Sequence, residues 1–306
     1  MMPELSVIYV NWNASDLLQK SLKTLPEAIA DIDYDVWVVD NASTDGSAAM
    51  VRANFPQVNL IQNSTNTGFA SANNQGMKFA KGRYFLLINT DAFAAPGSIN
   101  QLHKLAEEQP RAGIIGARLV NLDGSFQGSY VEFPNLLQEF LILSSLGRLF
   151  YGSWYPNHSA EAANGPKMVD YVQGACLLVR RQAYEAVGGL DESYFMYAEE
   201  VDWCYSMHRA GWEVWYQPSA SVTHIGGASS RTRANQRETD LYVSRVRYFR
   251  KNHGLLAAGV LEAMIISIAG VKYVSHAALR MINRRRFERM TVSPVLLVNR
   301  MRNIHR

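Results

Sequence analysis

An α/β chain with a mostly parallel central sheet flanked by helices is predicted by three observations. A strand, polar turn and helix recur three times in the first hundred residues, the alternation that right-handed crossovers fold into a parallel sheet. Tyr84–Ile88 is an apolar run without alternation, as in a strand covered on both faces. Asn11, Asp40, Asn66 and Asp91 all fall at or just beyond strand carboxyl ends, the edge where open α/β sheets bind ligands.

The elements follow in order. Leu5–Val10 reads as the first strand, and Ser15 is placed to cap a helix from about Asp16 to Ile29. Asp35–Val39 is a second strand; it ends in the turn cluster Asp40–Gly46 and leads to a helix over Ser47–Asn54. Val58–Ile61 is a third strand, with Asn63–Phe69 leading into a helix over Ala70–Ala80. Tyr84–Ile88 is the fourth, and Asp91 either serves a site or caps the helix near Pro96–Leu105. Gly113–Leu119 is a further strand, followed by a turn at Asn121–Gly124.

Val131–Lys167 breaks the rhythm. It joins a helix-like run, Leu136–Leu149, to the aromatic loop Phe150–Pro156, and reads either as a cover for an acceptor site or as a packing excursion. Strand character resumes over Val169–Val179 around Gly174-Ala175, where backbone can approach a ligand closely. Glu199, Glu200 and Asp202 then open a helix that ends near Ala210 and Gly211. The macrodipole favours carboxylates there, yet the neighbours Phe195, Met196, Tyr197 and Trp203 are not those of a solvated face. A short strand ends on His224 beside Gly226 and Gly227, a candidate ligand position. No phosphate loop of the Walker or dinucleotide type is present in the sequence.

Four motifs in order, Val39–Asp45, Asn66–Gly76, Leu87–Ala92 and Tyr197–Asp202, resemble those of the family 2 inverting glycosyltransferases of the GT-A fold, in particular the bacterial rhamnosyltransferase-like branch. The resemblance spans about Leu5 to Gly227. It implies a domain over residues 1–230 with a helical, basic extension over 231–306. It also implies transfer of a sugar, L-rhamnose from its dTDP donor, onto a polyprenyl-diphosphate-linked saccharide in surface polysaccharide synthesis. UDP is the other pyrimidine donor class. By the same resemblance Asp40 recognises the base, and Asn11, Asn41, Asn66, Gly68, Asn73 and Asn89 line the nucleotide. Asp91, with His224, holds Mg²⁺ or Mn²⁺. Glu200 is the catalytic base, with Glu199 and Asp202 as alternates. Two departures stand out: Asn89 occupies the place of the first acid of the metal motif, and Glu199-Glu200 replaces the commoner Glu-Asp. Two competing readings remain, a polyprenyl-phosphate sugar synthase and a non-catalytic nucleotide-sugar-binding scaffold.

The C-terminal third is basic. The 306-residue chain as a whole carries a net charge of only +3, yet after Val271 Glu288 is the sole acid among many arginines, which points to a local anionic partner. Ala234–Asn252 reads as a charged helix. Leu255–Val271 is apolar but contains Glu262 and falls short of the roughly 20 residues of a spanning helix. It is expected as a buried hairpin or as an interfacial helix, with Arg280, Arg284, Arg285, Arg286 and Arg289 meeting anionic lipid. No nucleic-acid module accompanies these arginines. Met1–Glu4 lacks a basic n-region and Cys176 and Cys204 show no disulfide framework. The expected location is therefore cytoplasmic and reducing, peripheral on the inner face of the membrane.

Overall fold

Apolar runs that alternate with polar turns build a nine-stranded sheet among the described residues, which in this computed structural model are 2–152, 155–157, 164–227, 234–282 and 294–302. The strands are β1 (Leu5–Asn11), β2 (Tyr34–Asp40), β3 (Asn59–Gln62), β4 (Tyr84–Ile88), β5 (Ala92–Ala94), β6 (Ala112–Val120), β8 (Lys167–Met168), β10 (Cys176–Arg180) and β11 (Glu213–His224), with β7 (Tyr130–Val131) and β9 (Tyr171–Val172) pairing separately. The helices are α1 (Ser15–Ala28), α2 (Ser47–Asn54), α3 (Phe69–Phe79), α4 (Ser98–Glu108), α5 (Leu136–Leu143), α6 (Leu146–Tyr151), α7 (Arg181–Val187), α8 (Glu199–Arg209), α9 (Ala234–Ile282) and α10 (Pro294–Arg302).

The sheet runs β3-β2-β1-β4-β10-β6-β11-β5, with β8 on β11. β3, β2, β1 and β4 are parallel, as their crossover helices require. β10 then inserts antiparallel between β4 and β6, and β11 returns parallel to β6. Each central strand feeds both faces. Tyr84, Leu86 and Ile88 join Leu18, Leu22 and Leu25 of α1, while Phe85 and Leu87 join Met77 of α3 and Trp203 of α8. That two-sided burial explains the absence of alternation in Tyr84–Ile88. Arg180, buried at the end of β10, donates from Nε to the carbonyl of Ala112 at 3.0 Å and from Nη2 to those of Gln109 at 3.1 Å and Ala106. It thereby neutralises the carbonyl end of α4.

Several local expectations are corrected. Ala14, not Ser15, is the N-cap of α1; Ser15 is the first helical residue, and its amide donates to Asp45 Oδ2 at 2.9 Å. Asp91 does not cap α4, whose N-cap is Gly97 at φ 68°. The stretch read as one strand from Val169 to Val179 divides into β9 and β10, and α7 follows at once.

The chain separates into two compact units: Met1–Phe133, Asn157–Phe195 and Glu199–Ser229 form the first, and Pro134–Pro156, Met196–Ala198 and Ser230–Arg306 the second. The first contains the whole sheet. In the second, Arg245 Nη1 of α9 meets the buried Glu139 of α5 at 2.7 Å. α9 is two helical segments joined at a kink, Gly254 at φ 88° and ψ 172°, and the second segment runs on past Val271. Its 237–275 portion is long and apolar enough, by length and composition alone, to cross a membrane. Within and just beyond the apolar run Ala258, Leu261 and Ile265 are buried while Leu255, Leu256, Val271 and Val274 are exposed, so one side of it is covered and the other is open to solvent. Arg280 is helical backbone in α9, whereas Arg284, Arg285, Arg286 and Arg289, like Trp154 of the aromatic loop, lie outside the described residues.

Candidate active site

The carboxyl edge of the parallel strands gathers the polar residues. Asn11 and Asp40 are paired in register at the ends of β1 and β2. Asn11 Nδ2 donates to Asp40 Oδ1 at 2.9 Å and to Ser43 Oγ at 3.0 Å, while the Ser43 amide donates to Asp40 Oδ2 at 3.2 Å. Both side chains are buried and Asn11 Oδ1 has no partner within the protein. Asp40 is thus held as an oriented acceptor.

Asn41 works on the neighbouring loop. Its Nδ2 donates to Asn66 Oδ1 at 2.9 Å and to the Gly68 carbonyl at 3.2 Å, and its Oδ1 accepts from Asn63 Nδ2, the Thr67 amide and Thr67 Oγ1. Asn66 also receives the Gly68 amide at 3.0 Å. Asn73 lies buried on α3, donating to the Phe69 carbonyl at 2.9 Å. Gly68 has φ 88° and ψ 171°, and a Cβ there would stand 2.7 Å from the Phe195 carbonyl oxygen. That oxygen accepts the Phe69 amide at 2.8 Å. Glycine is required at this close crossing.

Asp91 follows β4 and is 7% exposed. β5 and β11 are antiparallel with Ala92 opposite His224, and the Ile225 amide donates to the Asp91 carbonyl at 3.1 Å. Sheet register therefore brings His224 Nε2 to 3.4 Å from Asp91 Oδ1. On its other side His224 Nδ1 meets Gln127 Oε1 at 2.7 Å. A carboxylate oxygen and an imidazole nitrogen at this separation fit neighbouring ligands of one divalent cation, which at about 2.1 Å from an octahedral ion stand about 3 Å apart.

The second acidic group meets this edge through β10. The Asn89 amide donates to the Ala175 carbonyl at 2.9 Å, and the backbone amide of the preceding residue, Gly174, hydrogen-bonds Glu200. The loop carrying Asp91 and the start of α8 are thus joined across two consecutive residues. Glu199 is 5% exposed and Asp202 is buried one helical turn on. Burial pushes the Glu199 carboxyl well above the ordinary carboxylate range, and the charge of Glu200 adds to the rise. Burial raises Glu200 too, but amides of Glu200, Val201 and Gly174 favour its charged form and oppose that rise. Glu200 Oε2 and Glu199 Oε2 are buried without a hydrogen-bond partner in the protein.

Sequence reading missed Gln127, 97 residues from His224, and the Gly174 contact; only the turn at Asn121–Gly124, which reverses the chain beside β6, signalled the former. Among the described residues a second cluster, Glu4, His103 and Glu107, has ligand-like spacing. It lies at the amino edge of β1 and β4, and Arg83 bridges both acids at 3.0 Å.

A family model described as glycosyl transferase family 2 matches residues 6–188. N-acetylglucosaminyl-diphospho-decaprenol L-rhamnosyltransferase of Mycobacterium tuberculosis is 33% identical over 235 residues, covering 72% of this chain and 75% of its own. The low-salt glycan biosynthesis hexosyltransferase Agl10 of Haloferax volcanii is 27% identical over 213 residues, 68% of this chain and 63% of its own. Among solved structures, the mannosyltransferase PcManGT of Pyrobaculum calidifontis, in complex with GDP-Man and Mn²⁺, is similar with a TM-score of 0.57 at 17% identity, over 100% of this chain and 88% of that one. GalNAc-T7 with UDP, GalNAc and Mn²⁺ gives 0.58 at 14% identity, over 81% and 48%. At these identities the likeness is one of fold.

Proposed function

We propose, from the premise that the chain belongs to glycosyl transferase family 2 and has the GT-A fold, that it is an inverting transferase moving L-rhamnose from dTDP-L-rhamnose onto a lipid-linked saccharide of surface polysaccharide synthesis. The observation that carries this reading is that backbone hydrogen bonds at Gly174 and Ala175 link the loop of Asp91 to Glu200. One acid serves the donor and the other the acceptor. The Mycobacterium tuberculosis relative, named for a rhamnosyl transfer to a polyprenyl-diphosphate sugar, supports the choice of sugar and acceptor.

Asp40 accepts the N3–H of the pyrimidine, oriented by Asn11 and Ser43. Asn41, Asn66 and Gly68 keep the adjoining loop in place, with Asn73 behind it. Asn89 and Asp91 face the diphosphate. Asp91 and His224 would hold a divalent cation, Mg²⁺ or Mn²⁺, which when bound supplies positive charge to the departing diphosphate. Glu200 Oε2 takes the proton of the acceptor hydroxyl as that oxygen bonds to the anomeric carbon and the bond from that carbon to the diphosphate breaks. One displacement inverts the centre. Glu199 lies buried beside Glu200, and Asp202 supports the first turn of α8.

Residues 1–230 make up the transferase domain in this reading and 231–306 a helical, basic extension. The exposed apolar residues of α9 and the arginines that follow support a peripheral site on the anionic inner face of the cell membrane, with the transferase in the cytoplasm.

Thermal shift against dTDP, UDP and GDP, each with Mn²⁺, Mg²⁺ or chelator, tests the donor site, because a ligand of the folded state raises the melting temperature. A metal-dependent shift with dTDP or UDP that Asp91→Ala loses is expected. No shift with any nucleotide would favour the scaffold reading.

A further inference from the structure

The contacts on the far side of His224 determine which of its nitrogens can bind. Gln127 Nε2 lies 3.3 Å from the His224 backbone oxygen and 3.1 Å from Asn121 Oδ1. The backbone oxygen only accepts, so the Gln127 amide must present NH₂ to it. Asn121 is fixed by the same logic, since its Nδ2 faces the Phe126 carbonyl at 3.4 Å and Ser125 Oγ at 2.9 Å. Its Oδ1 is therefore the atom turned to Gln127. With both amides oriented, the group 2.7 Å from His224 Nδ1 is Gln127 Oε1, an obligate acceptor. Nδ1 carries the hydrogen. In the neutral ring Nε2 then has its lone pair, and that is the nitrogen 3.4 Å from Asp91 Oδ1.

Gln127 is itself held at both ends of its backbone. Its amide donates to the Leu119 carbonyl at 2.9 Å and its carbonyl accepts Ser129 Oγ at 2.8 Å. Asn121 closes the turn, taking the Gly124 amide at 2.9 Å and giving its own to the Ser125 carbonyl at 2.8 Å. The side chain thus reaches His224 from a braced hairpin beside β6.

We propose that Gln127 is a positioning residue that selects the Nδ1–H tautomer of His224, so that His224 Nε2 and Asp91 present a preformed pair of ligands to a divalent cation. The inference rests on the metal-dependent reading of the site and adds to it a residue and a turn which the family motifs do not contain. A metal-binding histidine whose other nitrogen donates to a fixed acceptor keeps its ring oriented, and loss of such a partner typically weakens metal binding about 10–100-fold.

The test compares wild type with Gln127→Met, which keeps volume but removes the acceptor, and Gln127→Glu, which keeps an acceptor for Nδ1–H. Ring ¹⁵N shifts of histidine-labelled protein at pH 8, above the ordinary imidazole range near 6.5, report the tautomer, with His224→Ala assigning the signal. Mn²⁺ titration in the presence of the nucleoside diphosphate that wild type binds reports the site, and the same nucleotide in chelator reports the fold. Wild type should show protonated Nδ1. Gln127→Met should show a tautomer mixture and Mn²⁺ affinity about 10–100-fold weaker with metal-free nucleotide affinity unchanged, and Gln127→Glu, which keeps the acceptor for Nδ1–H but loses the two NH₂ contacts, should restore the Nδ1–H tautomer. An unchanged tautomer or unchanged Mn²⁺ affinity in Gln127→Met would overturn the inference while leaving the metal site standing. A wild type that binds no Mn²⁺ would remove the metal reading itself, and this inference with it.

Discussion

Gly68→Ala tests whether the donor loop is pinned by a close backbone crossing. The position has φ 88° and ψ 171°, a region essentially restricted to glycine that costs other residues about 1–3 kcal/mol. A Cβ would also stand 2.7 Å from the Phe195 carbonyl oxygen and 3.1 Å from its Cα. Backbone atoms cannot swing aside as a side-chain tip can, so overpacking adds about 1–3 kcal/mol. The Phe69 amide, 2.8 Å from the same oxygen, would lose alignment as the two loops part. The sum is about 2–6 kcal/mol, or about 4–24 °C in melting temperature at about 2–4 °C per kcal/mol. Gly97→Ala is the control: φ is 68°, ψ is 1°, and nothing lies within 4 Å of its Cβ position, so only the left-handed cost of about 1–2 kcal/mol applies. Urea unfolding of both variants measures the difference, and nucleotide titration of the folded fraction shows whether the loop has moved. If Gly68→Ala is no more damaging than Gly97→Ala, the crossing is not what requires glycine.

Two further outcomes concern buried acids. Glu199 has its folded pKa raised above the unfolded value. The folded state then holds the proton more tightly, and stability falls as pH rises from the ordinary carboxylate range through the folded pKa. Glu199→Gln should flatten that decline in melts taken between pH 5 and 8; an unchanged slope would mean Glu199 is already ionised at low cost. In the second unit, burial raises Glu139 while the charge and hydrogen bond of Arg245 pull it down. Arg245→Met should destabilise more at pH 8 than at pH 5, because the unpaired carboxyl must then stay protonated or be ionised in the interior. Equal losses at the two pH values would contradict this.

The parallel half of the fold was legible because β1, β2 and β4 are continuous apolar runs that each end in a polar turn, and their order follows from crossover helices of ordinary length. The position of β10 was not. Nothing local in Cys176–Arg180 states that it inserts antiparallel between β4 and β6, yet that insertion brings Gly174 and Ala175 to the site. Asp91 was legible from its place after β4, whereas its neighbour His224 comes by the β5–β11 register, and β5 is three residues long. For Gln127 the sequence offers only the turn before it, since an exposed-looking polar residue there acquires meaning only when β11 delivers His224 to it. The Leu255–Val271 run left a buried hairpin and an interfacial helix both open, because its hydropathy does not state which of its residues are covered: Leu261 and Ile265 are buried whereas Leu255, Leu256 and Val260 are exposed.

The measurement that bears most directly on the proposed chemistry is single-turnover transfer by Glu200→Gln beside wild type, with donor affinity determined for both. Glutamine keeps the shape of the side chain while losing its basicity. The account predicts donor affinity within about threefold and a transfer rate about 10²–10⁴-fold lower, the usual contribution of a general base. Near-normal transfer by Glu200→Gln, with the loss seen in Asp202→Asn instead, would contradict the assignment of Glu200 as the group that deprotonates the acceptor.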